Sequence, residues 1–180
     1  DVFKIICVAN NRRMKGLIYL IKAISKLPDD IQLHLLLPGR DFKSEKIMNI
    51  LQKNNKENIV HFLGFRDNVL DIVSGCQAFI LPSITGEAIT KSVIEAMSLA
   101  VCPIITNIPG NRDLIVHEVS GLFVKPKDPD GLKNAILRAY KNQEWSKEMG
   151  RNAQKRIDSS FNTSQTILEM KQLYGSIIDE

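Results

Sequence analysis

No run of this sequence is apolar for the length of a membrane span, and no signal peptide is visible. Cysteine is scarce: Cys7, Cys76 and Cys102 are an odd set without metal-type spacing, which points to reduced, buried thiols and a cytosolic protein. Aromatics make up 6% of the chain and do not interleave with basic residues. The net charge of +4 is spread out rather than gathered in a run. That balance argues against a nucleic-acid partner and admits an anionic small ligand or surface. The glycine spacing of a P-loop is missing, and no Ser/His/Asp arrangement or Cys/His metal set has supporting context. His34 and His61 fall in predicted strands, where a lone histidine is usually structural, and His117 follows a predicted turn of helix at 114–116. The chain opens at Asp1 without an initiator Met, as expected of a domain cut from a longer protein or of a processed start.

What is present is a regular alternation. With 180 residues, 44% of them hydrophobic, the chain can bury one sizeable core. Short, nearly continuous apolar runs read as strands at 3–9, 31–37, 59–63, 78–81, 101–106 and 121–124. Between them, apolar residues recur at helical spacing from Gly16 to Pro28, over 43–54, after Asp67 as a candidate N-cap, over 91–100 and from Asp130 to about 142. Two further helical segments follow, roughly 144–157 and 162–178. Buried strands alternating with helices predict an α/β domain: a doubly wound, Rossmann-like parallel sheet of about six strands, helices on both faces and extra C-terminal helices. Ligands of such folds sit beyond the C-terminal strand ends. The informative loops are therefore 9–16, 38–42, 64–67, 82–91 and 107–112.

The richest stretch runs from Thr85 to Met97. A strand at 78–81 closes with Pro82-Ser83, and the loop leads into a helix. Backbone N–H groups of Ile89, Thr90 and Lys91 lie at or near the helix start, where free donors and the positive dipole end suit a diphosphate. Glu87 beside a phosphate would be repelled, so it points instead to neutral hydroxyls, or it complements the dipole as a helix-start acid. Glu95 lies nearly opposite the face of Val93, Ile94, Met97 and Ala100, one turn after Lys91. It reads either as an exposed pair with Lys91 or as a ligand contact from a cleft above the sheet. Loop 9–16 carries Arg12, Arg13 and Lys15 before Gly16, cations placed to pair with phosphate or simply a solvated basic loop. Gly64-Phe65-Arg66 ends a strand and either lines a base pocket by backbone contact and stacking or makes an ordinary turn.

Glu87-x7-Glu95, within G-E-A-I-T-K-S-V-I-E-A-M, resembles the E-x7-E signature of retaining glycosyltransferases built from two Rossmann domains, the GT-B type. Lys15-Gly16, Phe62-Leu63-Gly64, Leu81-Pro82-Ser83, Pro103-Ile104-Ile105-Thr106, Gly121-Leu122-Phe123-Val124 and Asp128-Pro129 follow in that family's order. The match spans nearly the whole chain but only the C-terminal, donor-binding half of such an enzyme. The N-terminal domain that usually supplies most of the acceptor site would be missing. Members often have E-G-F-G where this chain has Glu87-Ala88-Ile89-Thr90. They often carry an arginine where this chain has Ala9 or Asn10, for which Arg12 is the candidate substitute.

The resemblance implies transfer of a sugar from a UDP- or GDP-linked donor with retention of configuration. It implies no cofactor, no metal and no assigned protein nucleophile. Its partners would be the nucleotide-sugar, the missing domain of the same enzyme and a glycan or glycolipid acceptor. The location would be cytoplasmic, peripheral at the inner membrane face through the full-length enzyme. Glu87 is the candidate catalytic residue, near the transferred sugar's hydroxyls. Lys15 would meet the diphosphate and Glu95 the ribose. Arg12, Gly16, Gly64, Phe65 and the backbone of Ile89, Thr90 and Lys91 complete the donor set. Such a fragment is expected to be inactive alone. The alternative, motivated by the lost glycines, is a catalytically silent binding or regulatory domain. A third possibility, a nucleotide-sugar epimerase of similar two-domain build, would need a further acid/base set that this sequence does not offer.

Overall fold

The computed structural model describes residues 2–9, 12–40, 42–85 and 90–160. Six strands form one parallel sheet: β1 (Phe3–Ile6), β2 (Leu33–Pro38), β3 (Val60–Gly64), β4 (Ala78–Leu81), β5 (Cys102–Thr106) and β6 (Leu122–Val124). Their order across the sheet is β3-β2-β1-β4-β5-β6. The helices are α1 (Leu17–Ile24), α2 (Glu45–Lys53), α3 (Val69–Ser74), α4 (Lys91–Ser98), α5 (Pro129–Lys141) and α6 (Gln143–Ser160).

Side chains alternate across each strand, and the alternation sorts the core into two layers. Phe3, Ile5, Leu33, Leu35 and Ile104 pack with α1, α2 and α5, whereas Ile6, Phe79, Leu81 and Ile105 pack with α3, α4 and α6. Helix α1 shows what holds these elements. Its N-cap, Gly16, makes no side-chain capping bond. It buries Leu17, Leu20, Ile21, Ala23 and Ile24 instead, and each fully buried Leu or Ile contributes about 1.5–3 kcal/mol. Packing therefore outweighs capping, which is worth about 1 kcal/mol. Helix α5 has both: Asp128 accepts the Gly131 N–H at 2.8 Å, and Pro129 occupies the first turn.

Several expectations are corrected in detail. Asn68, not Asp67, is the N-cap of α3, and its side chain makes no capping bond. Residues 114–116 are not helical. Turns span 109–114, and Arg156 of α6 ties them down by donating to the carbonyls of Asp113 and Leu114 at 2.7 and 2.8 Å. Ile59 closes a 3-10 turn rather than opening β3. Ala100 lies beyond the end of α4 with φ of 57°, so it does not share that helix's buried face. The expected helix at 162–178 lies outside the described residues. All three cysteines are buried and free.

His34 and His61 are not isolated. Neighbouring strands bring Nδ1 of His34 against Nε2 of His61, with the rings parallel and their centroids 4.7 Å apart. Burial lowers the His61 pKa from its ordinary 6.5, and the neighbouring His34 lowers it further. The folded chain then binds fewer protons at this ring than the unfolded chain once pH drops to about 6.5. Stability should hold steady above that value and decline as pH falls below it. In His61→Gln, urea unfolding midpoints measured between pH 7.5 and 5 should decline less steeply; an unchanged slope would remove His61 from the account.

Candidate functional site

Because every strand is parallel, the loops that follow them gather along one sheet edge. The strand order places β1 beside β4, and their connections leave toward opposite faces: α1 lies in one core layer and α4 in the other. This is the topological switch point, where a crevice opens in a doubly wound sheet. Residues 7–9, 12–16, 82–85 and 90 border it.

The two loops are joined directly. Ile84 N–H donates to Met14 O at 2.8 Å. Gly16 has φ of 66°, and a Cβ there would stand 1.9 Å from Pro82 O. Only glycine combines this left-handed backbone with that approach. A 3-10 turn, Arg13–Lys15, precedes it. Burial pushes the Cys7 thiol up to about 12, and the charge of Lys15 works in the opposite direction.

Lys15 lines a cavity of about 310 Å³ together with Val8, Ala9, Gly39, Phe65 and Arg66. Gly64, at φ of 68°, ends β3 and accepts the Gly39 N–H at 2.8 Å, tying the loops after β2 and β3 together. Phe65 is 65% exposed, and the Arg40 guanidinium lies 5.4 Å from its ring centroid. A planar aromatic at a cavity rim, with a cation over one face, suits stacking of a flat ring.

On the other side of the crevice, α4 starts at Lys91 with Thr90 as a buried N-cap. The N–H groups of Lys91 and Ser92 belong to the first turn, where the helix itself supplies no carbonyl partner. Glu95 is less exposed than its position on the helix predicts: its side chain is 32% exposed, and it meets Lys91 at 3.4 Å. An i,i+4 pair this exposed is worth only a few tenths of a kcal/mol, about 0.3–0.5. Glu87 and Ile89 lie outside the described residues.

The structure thus brings Lys15, Gly16, Gly64 and Phe65 to the crevice from one side, with Thr90, Lys91 and Glu95 on α4. Arg12 lines a different, adjacent cavity, which does not include Lys15. Gly39 and Arg40 were not among the expected site residues, although loop 38–42 was among the informative loops; the Pro38-Gly39 break at the end of β2 was their signal.

Comparison with known proteins gives the family. The model for glycosyl transferases group 1 matches residues 1–156. The chain belongs to this family. N-acetyl-alpha-D-glucosaminyl L-malate synthase of Bacillus anthracis is 24% identical over 97% of the chain and 45% of that relative. UDP-Gal:alpha-D-GlcNAc-diphosphoundecaprenol alpha-1,3-galactosyltransferase of Escherichia coli is 28% identical over 74% of the chain and 35% of that relative. Among solved structures, HepE of Anabaena in complex with UDP superposes with a TM-score of 0.88 at 22% identity, covering 97% of the chain and 49% of HepE. The chain spans about half the length of the relatives it matches. The glycosyltransferase chain therefore has the Rossmann-like fold of GT-B enzymes.

The Gly16 contact yields a test. Gly16→Ala places a methyl group against Pro82 O and forces a left-handed alanine, so it should cost roughly 2–4 kcal/mol in chemical denaturation. A cost below about 0.5 kcal/mol, the size of an ordinary surface change, would show that the loops need not be this close.

Proposed function

We propose that this chain is the donor-binding half of a glycosyltransferase that takes a sugar from a UDP- or GDP-linked donor and passes it, with retention of configuration, to a glycan or glycolipid. The observation that carries the reading is the β1/β4 crevice, with Lys15 on one side and the first turn of α4 on the other. The solved complex of HepE with UDP supports a nucleoside diphosphate as ligand. The relative named for a diphosphoundecaprenol-linked acceptor supports a glycolipid.

In this reading Lys15 and the N–H groups of Ile89, Thr90 and Lys91 hold the diphosphate. Gly16 lets the loop approach, and Gly64 and Phe65 receive the base. Glu95 turns from Lys91 to the ribose hydroxyls, and Glu87 faces the transferred sugar. As the sugar leaves, negative charge grows on the diphosphate. The ammonium of Lys15 and the positive end of α4 stabilise that charge without reorganising. Most of the acceptor side belongs to a further domain, so the chain alone binds donor weakly and transfers nothing.

The Lys91–Glu95 pair is the observation behind a second reading, a silent binding domain in which Glu95 serves only its helix. Calorimetry separates the two. UDP or GDP should bind, and Lys15→Ala and Glu95→Ala should each weaken binding about tenfold, the size of one charge-assisted hydrogen bond. Failure of both nucleotides to bind would contradict the donor reading. An unaffected Glu95→Ala would return that residue to its helix.

A further inference from the structure

A second cavity, of about 490 Å³, lies beside the Lys15 crevice on the side of α1 and α2. Its cations come from three separate segments: Arg12 and Arg13 from the loop after β1, Lys46 from the first turn of α2, and Lys127 from the loop after β6. No Asp or Glu among the described residues lines it, while Tyr19 and Ile84 give it an apolar wall. Lys26, Lys56, Lys91, Lys133, Arg138 and Lys147 each meet a carboxylate. None of the four cavity cations does so among the described residues. Asp128, next to Lys127, is occupied capping α5.

Lys127 also holds φ of 61°, a left-handed backbone that an unbranched cationic side chain gains nothing from locally. A glycine would fit the turn better. Four like charges around one cavity, with no counter-charge among the described residues, repel one another, and a bound oxyanion relieves that repulsion.

We propose that this cavity binds the phosphate-bearing end of the acceptor, with the four cations around the phosphoryl oxygens and the apolar wall beside its organic part. The assignment to an acceptor rests on the donor reading above: the cavity shares the 12–16 loop with the crevice, so a phosphate here lies beside the proposed donor site. The anion site itself rests on charge and shape alone.

The test uses the 180-residue chain. With UDP held at saturation, inorganic pyrophosphate is titrated by calorimetry. It should still bind. Arg13→Ala and Lys127→Gly should each weaken it about tenfold while leaving UDP affinity within about twofold. Lys127→Arg should keep it. The thermal midpoint of Lys127→Gly should be unchanged or higher, since glycine accepts the backbone conformation. Pyrophosphate binding that survives both substitutions, or that UDP abolishes entirely, would overturn the second site. If UDP does not bind, the donor reading fails and the acceptor assignment falls with it, while pyrophosphate titration of the free chain still decides the anion site. Phosphatidylcholine vesicles with and without phosphatidylglycerol form a separate arm. Retention on the anionic vesicles through Arg13 and Lys127 marks a lipid-borne phosphate, and pyrophosphate binding alone marks a soluble one. Vesicle binding without pyrophosphate binding would replace the site with a diffuse surface.

Discussion

The site depends on one close approach: the backbone of Gly16 against the carbonyl of Pro82, where even a methyl group would stand 1.9 Å from the oxygen. β1 and β4 are neighbours in the sheet, but their loops lead to helices on opposite faces and would diverge if left to themselves. The glycine contact and the Ile84–Met14 hydrogen bond hold them together. The cation of Lys15 and the start of α4 are thereby set across one crevice. A lysine on a free loop would lose rotamer and loop entropy each time it met a ligand, at about 1–2 kcal/mol per ordered residue. Here the loop is ordered by packing before any ligand arrives.

The electrostatics divide at the same loop. On one side, Lys15 shares its cavity with Phe65 and Arg66. On the other, Arg12 and Arg13 join Lys46 and Lys127 around a larger space without a described carboxylate. A short segment, 12–16, thus presents cations to two adjacent volumes. The Lys91–Glu95 pair is exposed enough to break at little cost. That low cost is what allows Glu95 to be an ordinary helix partner in the free chain and a hydroxyl acceptor in the proposed complex.

The fold was legible because its strands are short, apolar and separated by helices, a pattern that only a parallel sheet covered on both faces accommodates. The loops worth inspecting were legible for the same reason, since parallel strands put them on one edge. Lys127 was not, because nothing local marks a lysine as left-handed or as facing Arg13. The pairing of His34 with His61 was invisible too: it depends on the β2–β3 register, in which Leu36 faces His61. The helical reading of 114–116 failed because Arg156, far along the chain, claims the carbonyls of the turn. The helical wheel placed Glu95 opposite the buried side of α4, yet its side chain is only 32% exposed.

The central claim is positional: a nucleoside diphosphate sits across the β1/β4 crevice, between the 12–16 loop and the first turn of α4. Backbone amide shifts in a nitrogen–proton correlation spectrum, followed as UDP or GDP is added, test it most directly. The account predicts the largest shifts at residues 12–16, 64–66 and 90–95, with β6 and α5 nearly silent. Shifts concentrated instead around His34, His61 and α3, or none at either loop, would contradict it.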